Sequence, residues 1–347
     1  MQSVPILLIL TLVVGLRLAG CVQTTTTNGN AVQPGQIKNL VTFGDSYTDP
    51  AAAFSGHSWA AFVAEYGPFN LYSFAKSKAT CSNNLTYRPG PPVTEYQLPT
   101  YLNATHNGTI PASAILSNET VYAIWIGTND VGVNALLTDG IGVRSGVSIV
   151  DVRKCVVDVV EVLYESGARN FVILNMIPLN LTPLYSRTSY PNLIWSAVRN
   201  TTEWNVFMYE LVRAGNAITD LMFQTAAPRL QGAHIASFDT YALFSDMFTN
   251  PGAYLNGTAS NPAGNGAPVY NVTGCIKSCV LQLNESLFGP ATCTIVQDEV
   301  QKDAYLWWVF RAAYDELHPS EQAHRVLATE ITALMKGKYS KWTTWLS

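Results

Sequence analysis

Five short β-rich or apolar runs recur along the chain, at 39–43 (NLVTF), 71–75 (LYSFA), 121–126 (VYAIWI), 170–174 (NFVIL) and 233–238 (AHIASF). Gly, Asn or Asp bounds them, and they do not alternate apolar with polar as half-exposed strands do. That pattern predicts strands covered on both faces. Helical periods lie between and after them. Residues 149–166 place Ile149, Val152, Val156, Val159 and Leu163 on one stripe, with Ser148 as N-cap and Gly167 as stop. Residues 203–223 repeat the stripe with Trp204, Phe207, Leu211, Ile218 and Leu221, and residues 321–335 with Ala323, Leu327, Ile331 and Leu334. Strands alternating with helices predict an α/β fold of three layers, helices on both sides of a five-stranded parallel sheet.

Composition adds the setting. The chain has 347 residues, 48% hydrophobic and 13% charged, with a net charge of −4 and no basic run, which argues against a nucleic-acid partner. Residues 6–16 (ILLILTLVVGL) are too short to span a bilayer and read as the apolar part of a secretory signal over 1–20. Leu18-Ala19-Gly20-Cys21 fits either a signal-peptidase cut or a lipidated Cys21. Residues 21–36, Thr- and Gly-rich, read as a flexible leader. Nine Asn-x-Ser/Thr sequons start at Asn84, Asn103, Asn107, Asn118, Asn180, Asn200, Asn256, Asn271 and Asn284. Chance predicts roughly four, so the excess favours a secreted, extracellular glycoprotein over a lipoprotein. The remainder, 37–347, reads as one domain carrying a disulfide-bearing insertion around 250–295. Disulfides are expected among Cys81, Cys275, Cys279 and Cys293, which allow three pairings. Cys155 lies in a helical stripe and reads as a buried thiol. No cluster has metal-ligand spacing.

Three of the strands run into reactive-looking sequences at the edge where such sheets bind ligands: Gly44-Asp45-Ser46, Lys76-Ser77-Lys78-Ala79 and Gly127-Thr128-Asn129-Asp130. A serine needs a base, an orienting partner for that base, and donors for the oxyanion. Of the five histidines, His57, His106, His234, His318 and His324, only His318 has an Asp three residues before it, in Asp315-Glu316-Leu317-His318-Pro319-Ser320. One loop can thus supply base and orienter, anchored by a helix starting at Pro319 and Ser320.

In this order the three motifs resemble the SGNH (GDSL-type) serine hydrolases, over residues 39 to about 336. The resemblance implies a flavodoxin-like α/β/α fold and catalysis by Ser46, His318 and Asp315 as nucleophile, base and orienter. It implies an oxyanion hole from the backbone N–H groups of Ser46 and Lys78 and the side-chain amide of Asn129. Gly44, Asp45 and Gly127, with Asp49 and Asp130, would support the loops. Two departures stand out. Tyr47 replaces the leucine after the serine. Lys78 occupies a glycine position in Ala75-Lys76-Ser77-Lys78-Ala79-Thr80-Cys81-Ser82-Asn83, and a lysine enters positive φ only at a cost.

Cys81-Ser82-Asn83, Trp59 and Trp125-Ile126-Gly127-Thr128-Asn129-Asp130 look similar to secreted fungal acetyl esterases acting on plant-wall sugars. The resemblance therefore implies an esterase removing small acyl groups from carbohydrates such as xylo-oligosaccharides; acyl transfer to water by this route needs no cofactor, and a monomer without a stable membrane partner is expected. Trp59 reads first as core, with sugar stacking as the other option. A lipase or general carboxylesterase and a non-catalytic carbohydrate-binding or surface glycoprotein on the same fold stay open.

Overall fold

The computed structural model describes residues 32–51, 58–139, 142–256, 269–287, 289–308 and 316–347. The expected signal segment, most of the expected leader, and Asp315 lie outside the described residues.

The five predicted strands form as β1 (Asn39–Gly44), β2 (Asn70–Ser73), β3 (Thr120–Trp125), β4 (Asn170–Leu174) and β5 (His234–Phe238). They pair in parallel in the order β5-β4-β3-β1-β2. A sixth strand, Thr343–Trp345, closes the edge antiparallel to β5, with Thr343 opposite Phe238. The pattern did not predict it, because three residues carry no period.

The unbroken character of the strands follows from the pleat. Successive residues point to opposite faces, and each face has its own core. Leu40, Val121, Ala123, Trp125, Val172, Leu174, Ala236 and Phe238 feed one core. Val41, Phe43, Tyr122, Ile124, Phe171, Ile173 and Ile235 feed the other. Helices α1 (Trp59–Tyr66), α6 (Thr240–Thr249) and α8 (Glu321–Met335) supply the first core, and α2 (Leu98–His106) and α4 (Ile149–Glu165) the second. The long α5 (Thr201–Ala226) serves both, with Met208 and Val212 in one and Phe223 and Ala226 in the other. Short helices lie at Thr128–Val131 (α3) and Glu299–Asp303 (α7). Helix α4 starts at a capping box in which Ser148 and Asp151 satisfy each other's backbone N–H groups. Trp59 is fully buried and its indole N–H donates to Thr48 Oγ1 at 3.2 Å, so it belongs to the core and cannot stack on a sugar.

The segment read as an insertion has a structural task. Strand β6 (Asn271–Cys275) pairs with β9 (Tyr305–Trp308), and β9 pairs antiparallel with the two-residue β10 (His318–Pro319). Between them a hairpin, β7 (Lys277–Val280) and β8 (Thr292–Ile295), is clamped by a Cys279–Cys293 disulfide. The edge strand Thr343–Trp345 is accordingly β11.

The cysteine expectations need correcting. Cys155 bonds to Cys81 in a disulfide spanning 74 residues, and Cys275 is the buried cysteine outside both disulfides. The apolar stripe correctly marks Cys155 as buried. It says nothing of a partner delivered from a loop 74 residues earlier.

Candidate active site

The turn after β1 is set by Gly44. A side chain there would place its Cβ 2.4 Å from the carbonyl oxygen of Trp125 on the neighbouring strand. Gln97, fully buried, brackets the turn: Gly44 N–H donates to its Oε1 at 3.0 Å and its Nε2 donates to the Gly44 carbonyl at 2.9 Å. The chain then makes a helical turn in which Thr48 and Asp49 N–H both donate to the Asp45 carbonyl at 3.0 Å. The Asp45 carboxylate accepts from Tyr47 N–H at 3.0 Å. Ser46 sits half-buried on this turn. Neither carboxylate beside it is poised as its base: Asp49 accepts from Ser77 N–H at 3.0 Å and Ser77 Oγ at 3.1 Å, tying the turn to the loop after β2.

His318 arrives from the far end of the chain. Its strand β10 is held by β9, Ser320 N–H donates to the Leu306 carbonyl at 2.8 Å, and Ser320 Oγ caps α8 by accepting from Ala323 N–H at 3.1 Å. The imidazole is buried, and its Nε2 lies 2.6 Å from Ser46 Oγ. The residues 272 positions apart thus share a hydrogen bond. Tyr47, in the leucine position, reinforces the approach. Its hydroxyl donates to the Leu317 carbonyl at 2.9 Å, and the imidazole and phenol rings meet edge-on with centroids 5.2 Å apart. Asp315, the expected orienter, is outside the described residues.

The other two loops are fastened to the first. Lys76 N–H donates to the Gly44 carbonyl at 3.1 Å. Lys78 takes φ +67°, the left-handed conformation that suits the glycine it replaces. Gly90 permits the close packing behind it, since a Cβ there would lie 2.7 Å from the Lys78 carbonyl carbon. Asn129 Nδ2 donates to the Ala79 carbonyl at 2.9 Å, so one amide hydrogen fixes the side chain, which lines the adjoining cavity and has a second amide hydrogen to donate. Among the described residues, no acceptor takes the backbone N–H of Ser46 or of Lys78. Gly127 takes φ +133°, and a Cβ there would lie 2.6 Å from Arg153 Nη1.

Arg153 is a residue the hydrophobic pattern misses. It sits on the apolar side of α4, fully buried, where Nη1 donates to the Ile126 carbonyl at 2.9 Å and Nε to Thr219 Oγ1 at 2.6 Å. Burial pulls its pKa down to about 10, against the attraction of Asp130 and Asp220. Asp130 is buried beneath the same loop and accepts from Cys81 N–H at 3.2 Å and Thr86 Oγ1 at 2.5 Å. Desolvation raises its pKa to about 6 despite these donors and the nearby Arg153 and Arg88. On the other side of His318, His324 Nδ1 accepts from Trp59 N–H at 3.3 Å. Burial, with the charge of His318, lowers its pKa to about 3, so it stays neutral beside the site.

A cavity of about 540 Å³ opens beside these loops, bounded by Lys78, Asn129 and Leu317 and continuing along Arg88, Tyr185 and Ile194. Among the described residues no three His, Cys, Asp or Glu side chains converge as a metal site would require.

A doubly wound parallel sheet with a serine–histidine pair beyond the carboxyl end of its strands is the framework of an α/β hydrolytic enzyme. Residues 40–331 match the family model described as GDSL-like Lipase/Acylhydrolase, and the chain belongs to that family of carboxylic ester hydrolases. It is 29% identical to an acetylesterase of Hypocrea jecorina, over 89% of this chain and 92% of that protein. It is 24% identical to an acetylesterase of Thermothelomyces thermophilus, over 87% of this chain and 89% of that one. Among solved structures, a carbohydrate esterase family 2 enzyme with a carbohydrate binding domain, from Corynascus thermopiles, overlaps 60% of this chain and 58% of its own at 16% identity and TM-score 0.33.

Proposed function

We propose that the protein is a secreted esterase that removes acetyl groups from carbohydrate through an acyl-enzyme on Ser46. The observation that carries this reading is the 2.6 Å hydrogen bond between Ser46 Oγ and His318 Nε2. His318 takes the hydroxyl proton as Ser46 attacks the ester carbonyl, and returns it to the departing sugar alcohol. Water, deprotonated by the same imidazole, then releases acetate. The oxyanion formed at each addition is held by the N–H groups of Ser46 and Lys78 and by the second amide hydrogen of Asn129. Asn129 is suited to this because a fixed neutral donor has no proton to lose. Asp315 orients the imidazole. Two disulfides, seven exposed sequon asparagines and similarity to fungal acetylesterases support the extracellular carbohydrate setting.

Aryl acetate, butyrate and palmitate, followed by product analysis on acetylated xylo-oligosaccharides, test the proposal. Fast acetate turnover with deacetylation of the oligosaccharides is expected, and loss by several orders of magnitude in Ser46→Ala. Preferred palmitate turnover would point instead to a lipase.

A further inference from the structure

The loop that carries Lys78 combines two features that the esterase chemistry does not require. The backbone there is left-handed at φ +67°, where glycine would be unstrained, yet a lysine occupies it. The oxyanion role uses only the backbone N–H, which glycine would supply equally. The lysine side chain is exposed, lines the cavity and makes no ion pair among the described residues. Backbone strain carried at a site for an exposed side chain with no ion-pair partner among the described residues points to a ligand for that side chain.

The rest of the cavity agrees. A second cation, Arg88, lines it, and none of its described lining residues is Asp or Glu. That is a local reversal in a chain of net charge −4. Arg88 is held rigidly, with Nη2 donating to the carbonyls of Asn129 and Val133, and its Nε is buried without a hydrogen-bond partner. At about 540 Å³ the cavity has the size of a small-molecule site and is far larger than an acetyl group needs. Bordered by Asn129 and by Leu317 next to His318, it has room for the alcohol side of the ester. Tyr87, exposed at the rim, gives it an aromatic surface on which a sugar ring can lie.

We infer that the preferred alcohol portion is an acidic saccharide, one bearing a carboxylate such as a uronic acid, and that Lys78 is the residue that selects it. This rests on the carbohydrate-esterase reading above and narrows its substrate class. The lysine acts as a point charge on a flexible stem, a fit for a carboxylate whose position varies among oligosaccharides.

Inhibition of aryl acetate hydrolysis separates the two readings. The probes are a neutral xylo-oligosaccharide, one of equal length bearing a uronic acid, and the methyl ester of the latter, all without acetyl groups. The acid is expected to inhibit about tenfold more tightly than the neutral sugar and the methyl ester at low ionic strength. That advantage should shrink in about 0.5 M salt. Lys78→Met should bring the acid-to-neutral ratio of inhibition constants towards one, and Lys78→Arg should restore it. Because the ratio is taken within each variant, altered turnover does not affect it. Equal inhibition by acid and neutral sugars in the parent enzyme, or an unchanged ratio in Lys78→Met, overturns the inference and leaves the carbohydrate reading standing. No inhibition by any of the sugars while aryl acetate is still hydrolysed overturns the carbohydrate reading itself.

Discussion

At the scale of single residues, the site depends on side chains whose work is to hold others. Tyr47 shows this most directly. It stands where the family motif carries leucine, which has no donor, and its hydroxyl reaches the backbone of the residue before His318. Tyr47→Phe keeps the ring against the imidazole and removes only that bond. The expected result is a loss of about 1 kcal/mol in stability by urea unfolding, with kcat down several-fold and KM nearly unchanged. A KM effect alone would count against a positioning role. Such partners are hard to read in sequence. In the sequence Tyr47 is only a departure from the motif, and Arg153 is hidden on an apolar helix face because its partners, the Ile126 carbonyl and Thr219, are distant in the chain. Lys78, by contrast, was flagged in the sequence as a residue out of place, and its φ of +67° is the conformation that flag anticipated.

At the scale of elements, strands β1 to β5 were legible as β-rich or apolar runs bounded by turn residues, and helices α4, α5 and α8 as stripes of helical period. Strand β11 and the small β6-β9-β10 sheet were not, since β6, β10 and β11 are short and mix polar with apolar residues, and β9 gains its partners only through contacts distant in the chain. The disulfide partners were invisible for a related reason: a cross-link is a contact at long range, and sequence shows only its two ends. The Cys81–Cys155 bond fastens the loop after β2 to α4, and Cys81 N–H itself donates to Asp130. Closing a loop of 74 residues stabilises by about 4 kcal/mol in the chain-entropy model. The double variant Cys81→Ala/Cys155→Ala should therefore lose about 2–4 kcal/mol by urea unfolding, and activity should fall more than in a variant lacking Cys279–Cys293. Equal activity in the two would show that the loop holds its shape without the bond.

At the scale of the whole molecule, two buried groups set opposing pH dependences. Asp130 has its folded pKa raised to about 6, so its contribution to stability is complete below the ordinary aspartate range and is lost as pH rises through about 6. His324 has its folded pKa lowered to about 3, so its contribution is complete above the ordinary histidine value and is lost as pH falls towards 3. Between about pH 4 and 6 one group has the folded state holding the extra proton and the other the unfolded state, and the two slopes offset. Single substitutions should unmask each slope. Relative to the parent, His324→Asn should lose stability with rising pH in that window, by up to about 1.4 kcal/mol per pH unit, and Asp130→Asn should gain it. Urea unfolding of all three proteins at pH 4, 5 and 6 checks this, and parallel curves would contradict it.

The central claim is also one of the whole molecule, because it needs residues 46 and 318 to work as one unit. A fluorophosphonate probe, with the labelled peptide located by mass spectrometry, tests it most directly. One equivalent of label on Ser46 is expected in the parent enzyme, none in Ser46→Ala, and labelling slowed by orders of magnitude in His318→Ala. Labelling of another residue, or an unchanged rate in His318→Ala, would contradict the account.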